Sequence, residues 1–475
     1  MVSIMKRQGM NPYLPLNEYI PDGEPHVFGN RVYLFGSHDL ENGNEFCELD
    51  YVSWSASVDD MTDWRYEGVI YKKEDDPFNE DRLPLYAPDV VQGKDGKYYL
   101  YYCVKFKDAI HIAVCDTPAG KYEYYGYVKY ADGRVMCENQ PYDPSVICTE
   151  EGNFLCFGFA PCMINIARYK TQDLRGGSVV QLEDDMMTIR TGPKIIIPSL
   201  KYGQGTSFEG NEYFEGPSIR KIDKTYYLVY SSAHTHQLCY ATSDSPMDNF
   251  VFGGVIVSNG DVGYEGRSEE DKVASVGNNH GGLVEVNGQW YIFYHRHTSL
   301  NQYSRQACAE KIYIDENGHI PQVTITSSGM NPTPLSGDAS YAAIHCCNLT
   351  NGHMGALSSL GRTNAEIDFP YITCANGERY ITNIKNEDLI GYKYFNLFET
   401  GSIEVVYEAD EPGILEIRTE MHGEAKACIQ LQASKWWKTA ETDSTFSENE
   451  QELYFVYKGS GSISLKTLHL KAKKI

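Results

Sequence analysis

Three acidic residues stand beside glycine or proline at matching places in a repeated pattern: Asp22-Gly23, Asp143-Pro144 and Glu215-Gly216-Pro217. Asp89 and His280 take the same place in two further copies. Carboxylates that converge on one point can divide acid and base work. A protonated one donates to a leaving oxygen, an ionised one deprotonates a water, and a third nearby raises the acid's pKa by like-charge repulsion. Set on opposite sides of a sugar ring, such a pair cleaves a glycosidic bond. The competing reading is that the acids cap turns, as Asp often does. Three acids in register weaken that reading, and Glu215 fits it least because Glu is the poorer turn former.

The elements that must position them are legible as hairpins. The stretches 21–36, 87–102, 142–158, 215–230 and 279–294 each run from the leading polar residue into an apolar strand, a turn and an aromatic strand. The turns read as Gly29-Asn30, Asp95-Gly96, Glu151-Gly152, Asp223-Lys224 and Asn287-Gly288, several of them strong hairpin signals. A second repeat follows three of the hairpins: 54–70, 112–128 and 240–256 align without a gap, with an aromatic at the eleventh position (Trp64, Tyr122, Phe250) and glycine at the fifteenth (Gly68, Gly126, Gly254). One unit therefore reads as a four-stranded blade, and five units fill about residues 10–325. The leading residues are 67, 54, 72 and 65 positions apart, longer than the periods of common interaction propellers and less regular than a solenoid. The expected fold is all-β: a five-bladed β-propeller over residues 1–328, whose first strands line a central channel. Asp22, Asp89, Asp143, Glu215 and His280 would share one funnel.

Residues 329–475 read as a second, jelly-roll-like β-sandwich domain. The segment 327–340 is rich in Gly, Ser and Pro, and beyond it come short alternating strands such as GSIEVVYEAD and QELYFVYKG.

Bulk properties narrow the partners. The chain has 475 residues, 42% hydrophobic and 13% aromatic, enough for large cores. A formal net charge of −24 repels nucleic acid and anionic membrane surfaces and suits a neutral substrate. No apolar run of signal-peptide or membrane-spanning length occurs, so the sequence reads as cytoplasmic. The 13 cysteines lie largely in apolar strands without CxxC pairs, which reads as buried thiols rather than disulfides.

Three motifs carry a resemblance over about residues 10–325. Tyr19-Ile20-Pro21-Asp22, Asp143-Pro144-Ser145-Val146 and Glu215-Gly216-Pro217 resemble, in order and spacing, the catalytic motifs of glycoside hydrolase family 43, with Ile20 inserted in the first. The resemblance implies a five-bladed propeller and inverting hydrolysis of arabinose- and xylose-containing polysaccharides. It implies Asp22 as general base, Asp143 as pKa modulator and Glu215 as general acid. Inversion implies carboxyls of Asp22 and Glu215 roughly 6.5–9.5 Å apart, with room for a water between them. Tyr86-Ala87-Pro88-Asp89 resembles the family's second-blade element, giving Tyr86 and Asp89 as substrate-binding candidates, with Asp89 alternatively bracing its blade. His280 resembles the channel histidine near a metal ion, usually Ca²⁺, and Arg296 resembles a substrate-contacting arginine. No organic cofactor is implied. The expected activity is exo-acting α-L-arabinofuranosidase on arabinoxylan-derived oligosaccharides. The alternatives are a β-D-xylosidase, a bifunctional enzyme or a non-catalytic sugar-binding propeller. The C-terminal region, through residues 381–397, is similar to a family 6 carbohydrate-binding module, with Trp436-Trp437 or Tyr392 and Tyr394 as sugar platforms or as packing residues.

Overall fold

The computed structural model describes residues 9–161, 174–355 and 367–473. Apart from short 3₁₀ turns such as Lys73–Asp75 and Tyr264–Gly266, its regular elements are β-strands, so the fold is all-β as expected. No described helix is long and apolar enough to cross a membrane. Every described cysteine is free.

Five antiparallel sheets follow one another along the chain, and each is built in sequence order. The first comprises Glu24–Phe28, Arg31–Phe35, Tyr51–Ser57 and Asp60–Tyr71; the second Asp89–Gln92, Tyr98–Cys103, Ile110–Cys115 and Glu123–Tyr127. The third comprises Ser145–Thr149, Gly152–Phe157, Gly176–Leu182 and Ile189–Pro198; the fourth Tyr213–Ile222, Thr225–Ser232, Leu238–Ser243 and Val251–Val257. The fifth has three strands, Leu283–Val286, Gln289–His297 and Arg305–Ile312, one fewer than the repeat implied. Its open edge is covered by the N-terminal segment. The Tyr13 N–H donates to Ala307 O at 3.3 Å, and Asn11 exchanges side-chain bonds with Ala309 O (3.0 Å) and the Ala309 N–H (2.9 Å). An uncovered edge would offer a row of unpaired backbone groups.

The first strands of neighbouring sheets touch from the first sheet through to the fourth, and the fifth sheet's first strand touches the first sheet's. Arg220 joins the fourth sheet to the fifth by donating from Nε to Leu283 O at 2.9 Å. The ring closes through a parallel bridge between Gly23 and Gly281. Glycine is required at 281, because a Cβ there would lie 1.8 Å from Phe293 O.

Local chemistry explains the repeats. The pairs Phe28–Arg31, Ile222–Thr225 and Val286–Gln289 enclose the expected two-residue turns. In the third sheet Thr149 pairs with Gly152, so the turn is Glu150-Glu151 and Gly152 belongs to the strand. In the second, Gln92 pairs with Tyr98, and Asp95-Gly96 lies within a longer loop. The recurring glycine of the second repeat marks one β-bulge built three times. Ser53 pairs with Gly68 and Trp54 with Tyr66; Ile112 with Gly126 and Ala113 with Tyr124; Tyr240 with Gly254 and Ala241 with Phe252. A bulge sharpens the local twist and turns the outer strand. The aromatics Trp64, Tyr122 and Phe250 are buried in the clefts between sheets.

Beyond residue 338 two further sheets face one another. One pairs Tyr371–Ala375, Glu378–Ile384, Ile463–Ala472, Thr400–Ala409 and Ser434–Asp443 in that order, with Ala339–Ala342 beside Ile463–Ala472. The other pairs Asn348–Thr350, Leu389–Lys393, Glu452–Gly459, Gly413–Arg418 and Ala427–Leu431. Side chains from both, among them Ile403, Val405, Leu415, Ile417, Phe455 and Leu468, share one buried core. Period-two alternation of the strands puts those residues inside. Tyr392 belongs to this core and donates its hydroxyl to Ala343 O at 2.7 Å, so it is not a sugar platform. Trp436 is 81% exposed.

Candidate active site

Asp22 and Asp143 stand just ahead of the first strands of their sheets, and Glu215 lies at a register shift within the fourth sheet's first strand. The two aspartates adopt left-handed backbone conformations, φ 56° and 51°, and Glu215 is followed by Gly216 at φ 65°. A left-handed residue at a strand start breaks the in-and-out alternation and turns the side chain toward the ring's axis. Gly216 is needed for a second reason: a Cβ there would sit 2.9 Å from the His280 ring. Cys47 (φ 61°) and Phe106 (φ 64°) line the same cavity, so four non-glycine residues around it hold positive φ. Such backbone costs about 1–3 kcal/mol per residue and concentrates at functional sites.

Asp22, Asp143, Glu215 and His280 line one cavity of about 220 Å³, with Tyr86, Phe46, Phe106, Tyr142 and Phe159 as aromatic walls and Arg305 beside the acids. The volume is below the usual range for drug-sized ligands and matches a single sugar ring rather than a chain.

The three acids sit in different electrostatic settings. Burial pushes the Asp22 carboxyl up, but the Arg305 guanidinium, a protonated His280 and the Ser37 hydroxyl outweigh it and hold Asp22 below its usual range. Arg305 Nη1 donates to Asp22 Oδ1 at 3.0 Å, and Ser37 Oγ donates to Oδ2 at 2.6 Å. The Asp22 N–H donates to His295 Nδ1 at 3.1 Å, which leaves His295 Nε2–H to donate to Asn278 O at 2.8 Å. Burial lowers His295 to about 3, so this ring is neutral. Burial pushes Glu215 well above the usual carboxylate range, reinforced by the charges of Asp143 and Asp22. Asp143 is raised to about 6, mainly by burial, with His280 opposing and Asp22 adding to the shift. Asp143 Oδ2 accepts from the Gly216 N–H at 3.2 Å and so grips the peptide next to Glu215. One acid is thus held ionised and another held protonated within one small cavity.

Two expected substrate contacts lie elsewhere. Arg296 is buried away from the cavity and donates to Cys346 O (3.0 Å) and Cys347 O (3.2 Å). The reason is strand alternation. His295 points at Asp22, so its neighbour Arg296 points to the opposite face and fastens the fifth sheet to the C-terminal region. The guanidinium at the site is Arg305, paired with His297 across the sheet. Asp39, 1% exposed, holds it: Arg305 donates from Nε to Asp39 Oδ2 at 2.9 Å and from Nη2 to Oδ1 at 3.0 Å. The Phe46 ring lies 4.7 Å from the guanidinium. Asp89 is fully buried and does not line the cavity. Its Oδ2 accepts from the Val146 N–H at 2.7 Å and its Oδ1 lies 2.6 Å from His26 Nε2, so it ties three sheets together. Tyr86 does line the cavity, its ring 5.9 Å from that of Tyr142.

Beneath the acids, His280 Nε2 lies 3.5 Å from Glu24 Oε1; both atoms are buried without a hydrogen-bond partner among the described residues. Glu24 also accepts from Arg220 Nη2 at 2.7 Å. Ligand atoms of Glu24, His26 and Asp89 all lie within 4.8 Å of one another. The His280 Nε2 and Glu24 Oε1 atoms, paired among the described residues only with each other at 3.5 Å, could both ligate a hard cation whose other ligands are water.

An all-β ring with one acid pushed down and another pushed up in pKa within one small cavity fits a glycoside hydrolase. The chain belongs to glycosyl hydrolases family 43, whose family model matches residues 23–320. It is 46% identical to a "Xylosidase/arabinosidase" of Thermoclostridium stercorarium over 98% of this chain and 99% of that one. It is 29% identical to a "Xylosidase/arabinosidase" of Bacteroides ovatus over 60% of this chain and 87% of that one. Among solved structures it is similar to CoXyl43, a β-xylosidase/α-arabinofuranosidase from a compost microbial metagenome solved with xylotriose in a calcium-free form. That match has a TM-score of 0.52 and 27% identity, over 67% of this chain and 98% of that one.

Proposed function

We propose that the protein is an exo-acting, inverting α-L-arabinofuranosidase on arabinoxylan-derived oligosaccharides, with β-D-xylosidase activity as the second reading. The observation that carries it is the opposite pKa shifts of Asp22 and Glu215, which share one small cavity with Arg305 beside Asp22. Both relatives above are named for both activities, which supports keeping the second reading. In this reading the five sheets are the blades of a propeller domain ending near residue 328, and the facing pair of sheets is a β-sandwich of the carbohydrate-binding-module type.

Asp22, ionised, takes a proton from a water that attacks the anomeric carbon. Glu215, protonated, gives its proton to the departing glycosidic oxygen. Asp143 raises Glu215 through its charge and fixes the Gly216 peptide; Arg305 keeps Asp22 ionised and aimed. Tyr86 and Phe46 wall the ring. Glu24 and His280 would hold a Ca²⁺ ion, which supplies positive charge beneath the acids when bound. Such an ion and a proton on His280, which its acidic neighbours favour at about pKa 9 against the effect of burial, are alternatives at one nitrogen.

The deciding experiment compares aryl α-L-arabinofuranoside with aryl β-D-xyloside and follows the first-formed anomer by NMR. The expected result is higher kcat/KM on the arabinoside, with inverted sugar released one residue at a time. A retained anomer would overturn the roles of Asp22 and Glu215.

The pH profile offers a second check. The basic limb of kcat/KM reports loss of the Glu215 proton, and Asp143's charge delays that loss. Replacing it in Asp143→Asn removes the like charge, lowers the Glu215 pKa and moves the basic limb to lower pH. An unmoved limb would show that Asp143 does not tune Glu215.

A further inference from the structure

A second cavity, about 560 Å³, is about 2.5 times the volume of the 220 Å³ acidic one and lies at the seam between the ring and the C-terminal sheets. One wall is the connection between the fourth and fifth sheets, around the turn Tyr264–Gly266. The other is the five-stranded sheet, at Leu389, Arg418 and Val456. The walls are pinned together. The Leu349 N–H donates to Val273 O at 2.8 Å, and Arg267 Nη2 reaches Met421 Sδ at 3.9 Å. The cavity is therefore set by the fold rather than by a loose loop.

Its chemistry is specific. The Nε atoms of Arg267 and Arg418 are buried without a hydrogen-bond partner among the described residues. The guanidinia are held by their other nitrogens, Arg418 Nη2 donating to Glu416 Oε2 at 2.5 Å and Arg267 Nη1 to Asp271 O at 3.2 Å, so both are fixed in place at the lining. The floor is apolar, an island formed by Leu389, Met421 and Val456 with Tyr454. Glu265, held at φ 51°, Asp271 and Glu387 stand at the lining with opposite charge to the arginines. Cations and carboxylates in one cavity give little net field for a charged ligand. They suit a neutral one that offers hydroxyls as donors and acceptors and an apolar ring face for the floor and Tyr264.

We infer that this seam is a second binding site for a neutral pentose oligosaccharide of two to three rings, separate from the hydrolytic cavity. The identity of the sugar rests on the proposed function. A ligand held there touches both halves of the chain, so its binding also resists their separation.

The test uses the full chain carrying Glu215→Gln, titrated calorimetrically with xylotriose and with an arabino-xylo-oligosaccharide of similar length. Two sites per chain are expected. Adding Arg418→Ala or Tyr264→Ser reduces the stoichiometry from two to one. The same substitutions in the otherwise native enzyme leave kcat/KM on the aryl pentosides unchanged. Tyr264→Ser is the arm to read if Arg418→Ala lowers the melting temperature. One site in Glu215→Gln, unaltered by either seam substitution, overturns the inference. No hydrolysis by the native enzyme, with one seam-dependent site retained, overturns the proposed function and leaves the seam site standing.

Discussion

Glu215→Gln is expected to slow hydrolysis of unactivated pentose oligosaccharides by about 10²–10⁴-fold in kcat, the usual contribution of a positioned general acid. The size of the loss depends on the leaving group. A sugar alkoxide leaves poorly without a proton, whereas a nitrophenolate leaves well without one. The variant therefore loses far less on a nitrophenyl pentoside than on an oligosaccharide. Equal losses on both would overturn the acid role. Folding is expected to hold. Glu215 owes its raised pKa to burial and to the charges of Asp143 and Asp22, surroundings that disfavour its charged form rather than depend on it. Glutamine preserves its size. A thermal midpoint equal to or above that of the native protein checks this.

Arg305→Met is expected to have the largest effect on stability. The guanidinium is 2% exposed and donates to both oxygens of Asp39 and to one of Asp22. Methionine fills much of the volume but leaves two buried carboxylates without their cation. Breaking a buried ion pair from one side costs about 3–5 kcal/mol. Urea denaturation reads this directly, and a loss under about 1 kcal/mol would refute it. Activity falls as well, because Arg305 is the foremost of the charges that hold Asp22 down. Without it the Asp22 pKa rises under the effect of burial, and less of the base is ionised at a given pH. Arg305→Lys keeps a charge but cannot reach two carboxylates in fork geometry, so it lies between the two in both measurements.

The repeat made the acids legible. Asp22, Asp143, Glu215 and His280 precede or open equivalent strands, and equivalent strand starts face one axis; the structure brings all four into one cavity. Asp89 shares the register, yet its carboxyl is consumed by the Val146 N–H and His26, a difference that only three-dimensional neighbours reveal. Arg305, Asp39 and Ser37 belong to no repeat. They follow the second strand of the first sheet or open the last strand of the fifth, and they meet because the ring closes there. Arg296 is expected at the site by resemblance alone, and strand parity sends it to the face opposite His295. The fifth sheet's missing strand was not legible either, since its edge is covered by residues near 11–13 through irregular contacts without a strand pattern.

The meeting of Asp22 with Arg305 spans 283 positions of chain. A ribosome adding about 5–20 residues per second needs roughly 14–57 s to make the 283 residues from one to the other. During that interval the first sheet exists while its aspartate lacks its cation, and the covering segment at residues 11–13 has no edge to lie on. The nascent protein thus carries an unfinished seam until its ring is almost fully synthesised, with the facing C-terminal sheets still to be made.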